Sequence, residues 1–459
     1  MLDRLIAPDI KAAIDSGDLS QILDFFRAAH AADAAEILAG LAVDDDLAIL
    51  KLLEPELVAD IFSELPDTLQ TELAGLLTPA ELTGLASDLS PDDRVDLLKT
   101  MPEERMAEVM QGLDKPERDE VKALVLWPEG TAGSLMTTEF IALPASLTVT
   151  QAMARIRKEA VDKESVYNSY VVDAAGRPLG VVNLRDLILA EPEATLRQIM
   201  DDQLPTVAAS ADDEESTWKL ARYDLVDLAV VDEAGVLVGL VTHDDAMDNM
   251  EREHTEDMER FMGITGTADD TSYLRTPVWT HFRHRVGWLV VLTVLGLVSG
   301  LILEGFEDLL TGLMVLAFYM PMLVATGGNT GSQAATMVVR SLALKELAPR
   351  DALRVLWKEL RIALLLCLVL GALAFGRVWL FTGAGDLPAG ITVVSVGLTI
   401  TLALVVQVIS AGLIGALLPL TVARFGLDPA LVASPALATV VDITGLLIYF
   451  SIARLVLGL

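Results

Sequence analysis

Apolar positions change their spacing twice along the chain, and each change predicts a different architecture. Between residues 22 and 126, Leu, Ile and Val recur at helical spacing in short bursts. Leu65-Pro66, Thr78-Pro79, Ser90-Pro91, Met101-Pro102 and Lys115-Pro116 punctuate them every 11 to 14 residues. Proline is tolerated in a first helical turn, acidic residues there favour the macrodipole, and Thr78 and Ser90 fit as N-caps. Helices this short are marginal alone, so they are expected to stack as an α-solenoid.

After Trp127-Pro128-Glu129-Gly130 the period alternates between strand-like and helix-like runs, twice over. Ser169-Tyr-Val-Val-Asp173, a turn at Ala175-Gly176 and Leu179-Gly-Val-Val-Asn183 follow a helical stretch at 149–160. Leu228-Ala-Val-Val-Asp232, Ala234-Gly235 and Val238-Gly-Leu-Val-Thr242 repeat that order. Beyond them lies an acidic run, 244–259, that would be charged around much of a helix. Asp244/Asp248 and Glu253/Asp257 would set like charges side by side, which destabilises a helix and which a divalent cation with hard oxygen ligands would relieve. A solvated linker helix is the alternative.

From residue 276 onward the runs become long and apolar. Spans are expected at about 286–303, 309–339, 362–381, 391–423 and 430–457, each near the roughly 20 residues needed to cross a bilayer. Arg340, Lys345, Arg350, Arg354, Lys358 and Arg361 lie between the second and third. The positive-inside rule then places the N-terminal half in the cytoplasm and the C-terminus outside. The second span is interrupted by Pro321 and by Thr326-Gly-Gly-Asn329-Thr-Gly331-Ser-Gln333, which predicts a broken helix lining an ion path with carbonyls. Close helix packing through the same glycines is the other reading. The last span carries a single carboxylate, Asp442. An ionised Asp at the centre of a membrane helix costs about 2.5–3.5 kcal/mol on insertion scales, and a mobile cation is its natural partner; a structural Asp bonded to neighbouring Ser, Thr or backbone groups is the alternative.

Composition sharpens the division. The formal charge is −33, and it is concentrated before about residue 275, whereas the apolar runs lie after it. Such acidity argues against nucleic acid or anionic lipid as the main partner and favours cations. Cys367 is the only cysteine, which rules out an intrachain disulfide and a cysteine zinc cluster. The first residues lack the pattern of a secretory signal. No nucleophile–base pair, P-loop or metal-hydrolase motif is found, so an enzyme is not expected.

The duplicated stretch, about 134 to 250, resembles a tandem cystathionine-β-synthase (CBS) pair. Such pairs often bind adenosine nucleotides through a Ser or Thr and an Asp after the last strand. Thr242 and Asp245 fit that pattern, Asn183 and Asp186 less closely, and capping of the following helices is the alternative.

As an ordered set, the chain resembles the MgtE family of bacterial magnesium transporters, related to the eukaryotic solute-carrier 41 group. The most specific pieces are Pro321 with Gly-Gly-Asn329-Thr-Gly-Ser-Gln333, and Asp428-Pro429 followed by Ser434-Pro435 and Thr439-Val-Val-Asp442-Ile-Thr-Gly445. The resemblance implies a multidomain membrane protein. Its parts would be a cytosolic α-helical solenoid domain (1–130), an α/β tandem CBS pair (131–200 and 201–247), an acidic connecting or plug helix (248–275) and an all-α transmembrane domain of five helices (276–459). It further implies a homodimer in the bacterial inner membrane with a pore on its axis, in which Asp442 selects Mg²⁺ beside Asn329, Gly328, Thr439 and Ala438.

Regulatory Mg²⁺ is then expected to bridge acids of three regions and hold the pore shut. In the N domain these are Asp92 and Asp93. In the CBS pair they are Asp212, Asp213, Glu214, Glu215, Asp224 and Asp227. On the connecting helix they are Asp244, Asp245, Asp248, Glu251, Glu256, Asp257 and Glu259, with ATP a further ligand of the CBS pair. A gradient-coupled divalent-cation transporter and a membrane-anchored cation sensor without flux are the other functional classes.

Overall fold

The computed structural model describes residues 10–11, 19–160, 163, 165–264, 276–383, 387–388, 390–429 and 434–458, and the chain divides into two compact units, one up to Glu253 and one from His254 onward. Residues 265–275 of the expected connecting helix and 430–433 of the expected last span lie outside the described residues.

The first unit opens with short helices: α1 (Leu19–Ala28), α2 (Ala31–Leu38), α3 (Val43–Leu50), α4 (Pro55–Ser63), α5 (Asp67–Leu76), α6 (Pro79–Asp88), α7 (Pro91–Lys99), α8 (Glu103–Gly112) and α9 (Lys115–Leu124). Their starts are written locally. Thr78 and Glu81 form a capping box, with the Thr78 amide donating to Glu81 Oε2 at 2.8 Å, and the Ser90 hydroxyl accepts from the Asp93 amide. Pro79, Pro91 and Pro116 occupy first turns, where no amide proton is missed. Helices two apart in sequence pack together, α2 on α4, α4 on α6 and α6 on α8, with α3 on α5 and α7 on α9 beside them. Stacked in this way, Leu69, Leu73, Leu82, Leu98 and Val109 bury what one short helix would leave wet.

Two copies of one sheet follow. The first has β1 (Ala142–Pro144), α10 (Val149–Glu159), β2 (Asn168–Val172), β3 (Pro178–Asn183), α11 (Leu184–Leu189) and α12 (Leu196–Ile199). The second has β4 (Thr206–Ala208), α13 (Asp213–Tyr223), β5 (Asp227–Val231), β6 (Leu237–Thr242) and α14 (His243–Phe261). In each, the first strand runs parallel to the second and the second pairs antiparallel with the third. The duplication extends to the register: a bulge falls at Val171/Val172 and again at Val230/Val231. Asp173 and Asp232 fold both hairpin turns by accepting backbone amides, from Ala175 at 2.8 Å and Ala234 at 2.9 Å. Thr137 and Leu240 exchange backbone hydrogen bonds of 2.9 and 3.0 Å and join the copies.

The acidic helix differs from its expected bounds of 248–275. It starts directly from β6 at His243 and ends at Phe261. Gly263 (φ +74) terminates it, its amide donating to Arg260 O while that of Ile264 donates to Glu259 O, both at 2.9 Å. This is a Schellman closure, and glycine adopts the left-handed conformation at little cost. The like-charge pairs along α14 do not break it.

The second unit contains α15 (Val278–Gly305), α16 (Glu307–Gly312), α17 (Val315–Ala343), α18 (Ala352–Phe381), α19 (Val393–Arg424) and α20 (Ser434–Leu457). Among the described residues, four helices are long and apolar enough to cross a membrane: α15, α18 with the turn preceding it, α19 and α20. The remaining expected span, the second, is α17, which has the length, 29 residues, but carries the polar Thr326–Gln333 run. Helix α19 is central, packing on α17, α18 and α20, with Ile400, Ala403, Gln407, Val408 and Ala411 buried. Helix α15 packs along α20 and buries none of its own residues.

The expectation of a broken second span is overturned: α17 is continuous from Val315 to Ala343, through Pro321 and all its glycines. Thr326 and Thr330 turn their hydroxyls back onto the helix, each donating to a carbonyl four residues earlier at 2.7 Å. The glycines serve close approach instead. A Cβ on Gly415 of α19 would lie 2.2 Å from the Gly331 carbonyl oxygen of α17. Gly415→Ala therefore forces these helices apart and is expected to cost at least about 1–3 kcal/mol, the range for overpacking. Thermal unfolding in detergent checks this against Gly296→Ala, which faces open space and should be neutral or stabilising.

Candidate functional site

Asp442 is the ninth of the 24 residues of α20, half-buried, and among the described residues nothing hydrogen-bonds or pairs with its carboxylate. It faces α17. A Cβ built on Gly328 would sit 3.5 Å from Asp442 Oδ1 and 3.9 Å from the Ala438 Cβ. The structure thus brings Asp442, Gly328 and Ala438 together, where one helix presents bare backbone to the other's carboxylate. Asn329 is one helical step of about 100° further round and exposed. Thr439 Oγ1 donates back to Pro435 O at 2.9 Å. Because α17 is unbroken, its carbonyls stay in the helical ladder, and the expected lining of freed carbonyls is replaced by a carboxylate beside a glycine edge.

One residue at this contact escaped the sequence reading. Gln407, fully buried on α19, donates from Nε2 to Val441 O at 3.0 Å. A lone carboxamide in an otherwise apolar run was the available signal, since polar side chains inside membrane spans find partners.

The acids of the first unit group by electrostatics. Asp93 is pushed up to about 7 by burial and the neighbouring Asp92 carboxylate. Asp92 is raised as well, by burial first, with Asp244 of α14 among the charges acting on it. Glu64 is raised by burial and then by Asp248 and Asp244. Asp248 in turn is raised by burial, Asp244 and Glu251. N-domain acids and the first turns of α14 therefore form one electronegative cluster, to which Glu64 is an addition that sequence alone did not single out. No three His, Cys, Asp or Glu side chains among the described residues converge as a closed metal cage.

Other expected acids have different tasks. Asp227 is 4% exposed, and its carboxylate accepts from Ser165 at 3.2 Å, from Asn168 at 3.0 Å and from the Tyr170 hydroxyl. With three donors occupying it, Asp227 ties the two CBS copies together and is not placed as a metal ligand. Asp224 is exposed and closes α13 in a left-handed conformation. Asp212 caps α13, accepting from the Glu214 amide at 3.0 Å, and Glu215 pairs with Lys219 at 2.7 Å. Asp213 is buried, with Arg252 at 3.8 Å. In the last turns of α14, Glu256 pairs with Arg260, which also reaches Asp428 at 3.3 Å. Asp257 is raised by burial and by Asp428, while Glu259 supplies the carbonyl that closes the helix.

The nucleotide candidates occupy equivalent places in the two copies. Asn183 Nδ2 donates to Asp186 Oδ2 at 2.6 Å and the Asp186 amide donates to Asn183 Oδ1 at 2.9 Å. Thr242 donates to Asp245. Each pair sits where a strand passes into a helix, and the first is a helix cap.

Known proteins match in the same order of parts. The profile for the MgtE intracellular N domain matches residues 29–130, that for the CBS domain matches 132–193 and 196–252, and that for the MgtE divalent cation transporter matches 320–452. The chain is 38% identical to the magnesium transporter MgtE of Thermus thermophilus over 459 residues, 99% of each chain. It is 30% identical to the magnesium transporter MgtE of Bacillus subtilis over 450 residues, 97% of this chain and 93% of the relative. Among solved structures, the cytosolic domain of the Mg²⁺ channel MgtE in complex with ATP aligns with a TM-score of 0.51 at 34% identity, covering 53% of this chain and 99% of that one. With full-length similarity to both transporters and every part in register, the chain belongs to the MgtE family of divalent cation transporters.

Proposed function

We propose that this chain transports Mg²⁺ into the cell, down its electrochemical gradient, along a path at the α17–α20 contact. The observation that carries the reading is Asp442, a carboxylate without a protein partner among the described residues, opposite Gly328 inside a unit of membrane-length helices. Mg²⁺ sheds water reluctantly and is held through few carboxylates and retained waters, which suits one acid beside an unobstructed backbone edge. Two copies of the chain, as a homodimer, bring two such carboxylates to one axis. Transport requires no catalytic step.

The basic residues between α17 and α18 support an inner-membrane orientation with the N-terminal unit cytoplasmic and the C-terminus outside. Mg²⁺ on the cluster of Asp92, Asp93, Asp244 and Asp248 would relieve its mutual repulsion and close the path. ATP is proposed at the strand-to-helix junctions of the CBS pair, by similarity to the neighbour solved with it.

The test is Mg²⁺ entry into liposomes carrying the purified protein, with internal Mg²⁺ low and proton and sodium gradients collapsed. Uptake under these conditions is expected. Uptake only with a proton or sodium gradient would move the assignment to a coupled carrier, and no uptake by folded protein would move it to a sensor.

A further inference from the structure

We propose that Gln407 is the positioning residue of the ion path, a step that rests on the reading of Asp442 as the path's carboxylate. Gln407 is the only carboxamide or carboxylate on α19 and is 0% exposed. Its Nε2 donates at 3.0 Å to Val441 O, the carbonyl of the peptide whose nitrogen belongs to Asp442. The slot that holds it is made by two glycines on two other helices. A Cβ on Gly327 of α17 would fall 2.1 Å from Nε2, and one on Gly445 of α20 would fall 2.4 Å from the same atom.

One amide thus touches the residue before Asp442 and the residue before Gly328, the two sides of the contact. Rotating α20 by a single residue would turn the carboxylate about 100° away from Gly328. The hydrogen bond to Val441 O opposes that rotation, and the flanking glycines let the amide reach it. Gln407 Oε1 is buried and has no hydrogen-bond partner among the described residues, a cost that an apolar residue of equal size would avoid. The donor, not the volume, is what the position requires. Gln407 does not touch the ion; it sets where Asp442 points.

Gln407→Met keeps the length and removes the donor. In proteoliposomes it is expected to lower Mg²⁺ uptake about fivefold, the factor that a net hydrogen bond of about 1 kcal/mol carries, and to reduce the preference for Mg²⁺ over Ca²⁺. The second readout is independent of what Asp442 does to ions. In a Cys367→Ser background, Asp442→Cys is modified with a membrane-impermeant methanethiosulfonate reagent, with and without Gln407→Met. A change in modification rate of threefold or more is expected while the elution profile in detergent stays unchanged.

An unchanged modification rate and an unchanged ion preference would overturn the proposal. If Gln407→Met fails to fold, Gly445→Ala presses on the same amide with Gln407 in place and is judged on the same two readouts. Should Asp442→Asn leave uptake intact, the path assignment falls, whereas the thiol rates still decide the role of Gln407.

Discussion

Asp442→Asn is expected to reduce Mg²⁺ uptake into proteoliposomes on the order of a hundredfold, with the protein still folded. The substitution preserves shape and removes charge. A divalent ion near a carboxylate inside a membrane unit gains several kcal/mol even at an effective dielectric constant of about 20, and a hundredfold effect needs about 2.7 kcal/mol of that. Stability should move the other way, because an unpartnered ionised acid in a membrane span is costly without its cation. The informative pair of measurements is therefore uptake and thermal unfolding in the absence of Mg²⁺. Lower uptake with equal or greater stability marks a carboxylate kept for ions. Unchanged uptake would remove Asp442 from the path.

The second large effect is expected in the first unit. Asp92→Asn, Asp93→Asn and Asp248→Asn together should raise the internal Mg²⁺ concentration needed to inhibit uptake by tenfold or more. Burial raises all three, and so do neighbouring carboxylates: Asp92 acts on Asp93, and Asp244 acts on both Asp92 and Asp248. A cation that bridges them offsets both penalties; with neutral amides there is little left to offset. The same physics sets a pH dependence.

Asp93 ordinarily titrates at 3.8 and is pushed up to about 7 here. Below 3.8 both the folded and unfolded chains hold its proton. Between 3.8 and about 7 only the folded chain does, so its contribution to stability falls as pH rises through that window. Without Mg²⁺, the unfolding temperature of the cytosolic unit within the full chain should be lower at pH 8 than at pH 5. Added Mg²⁺ should restore it at pH 8 and do little at pH 5. Equal Mg²⁺ stabilisation of the triple variant and the wild type would place the regulatory ions elsewhere.

What could be read from the chain alone follows the range over which each signal acts. Thr78, Ser90 and the first-turn prolines set helix starts through contacts within four residues, so the solenoid's helices were legible one by one. The duplicated strand order announced the CBS pair, and an isolated Asp442 in an apolar run announced itself because the bilayer penalises charge whatever its neighbours. The sequence could not say what distant partners would do with such groups. Asp227 read as one of the acids that regulatory Mg²⁺ would bridge, and the fold brings Ser165, Asn168 and Tyr170 onto it instead.

The glycines of α17 read as helix breakers because propensity is a local quantity. Tertiary packing supplied the reason for them: α19 approaches too closely for a side chain, and the helix stays whole. Gln407 was visible as a polar residue, but its partner, Val441 O, lies 34 residues away on another helix. Local sequence fixed which segments become helices and strands and which carry charge. Only the packed structure decided the rotation of one helix against the next, because that depends on side chains meeting across distances no periodicity encodes.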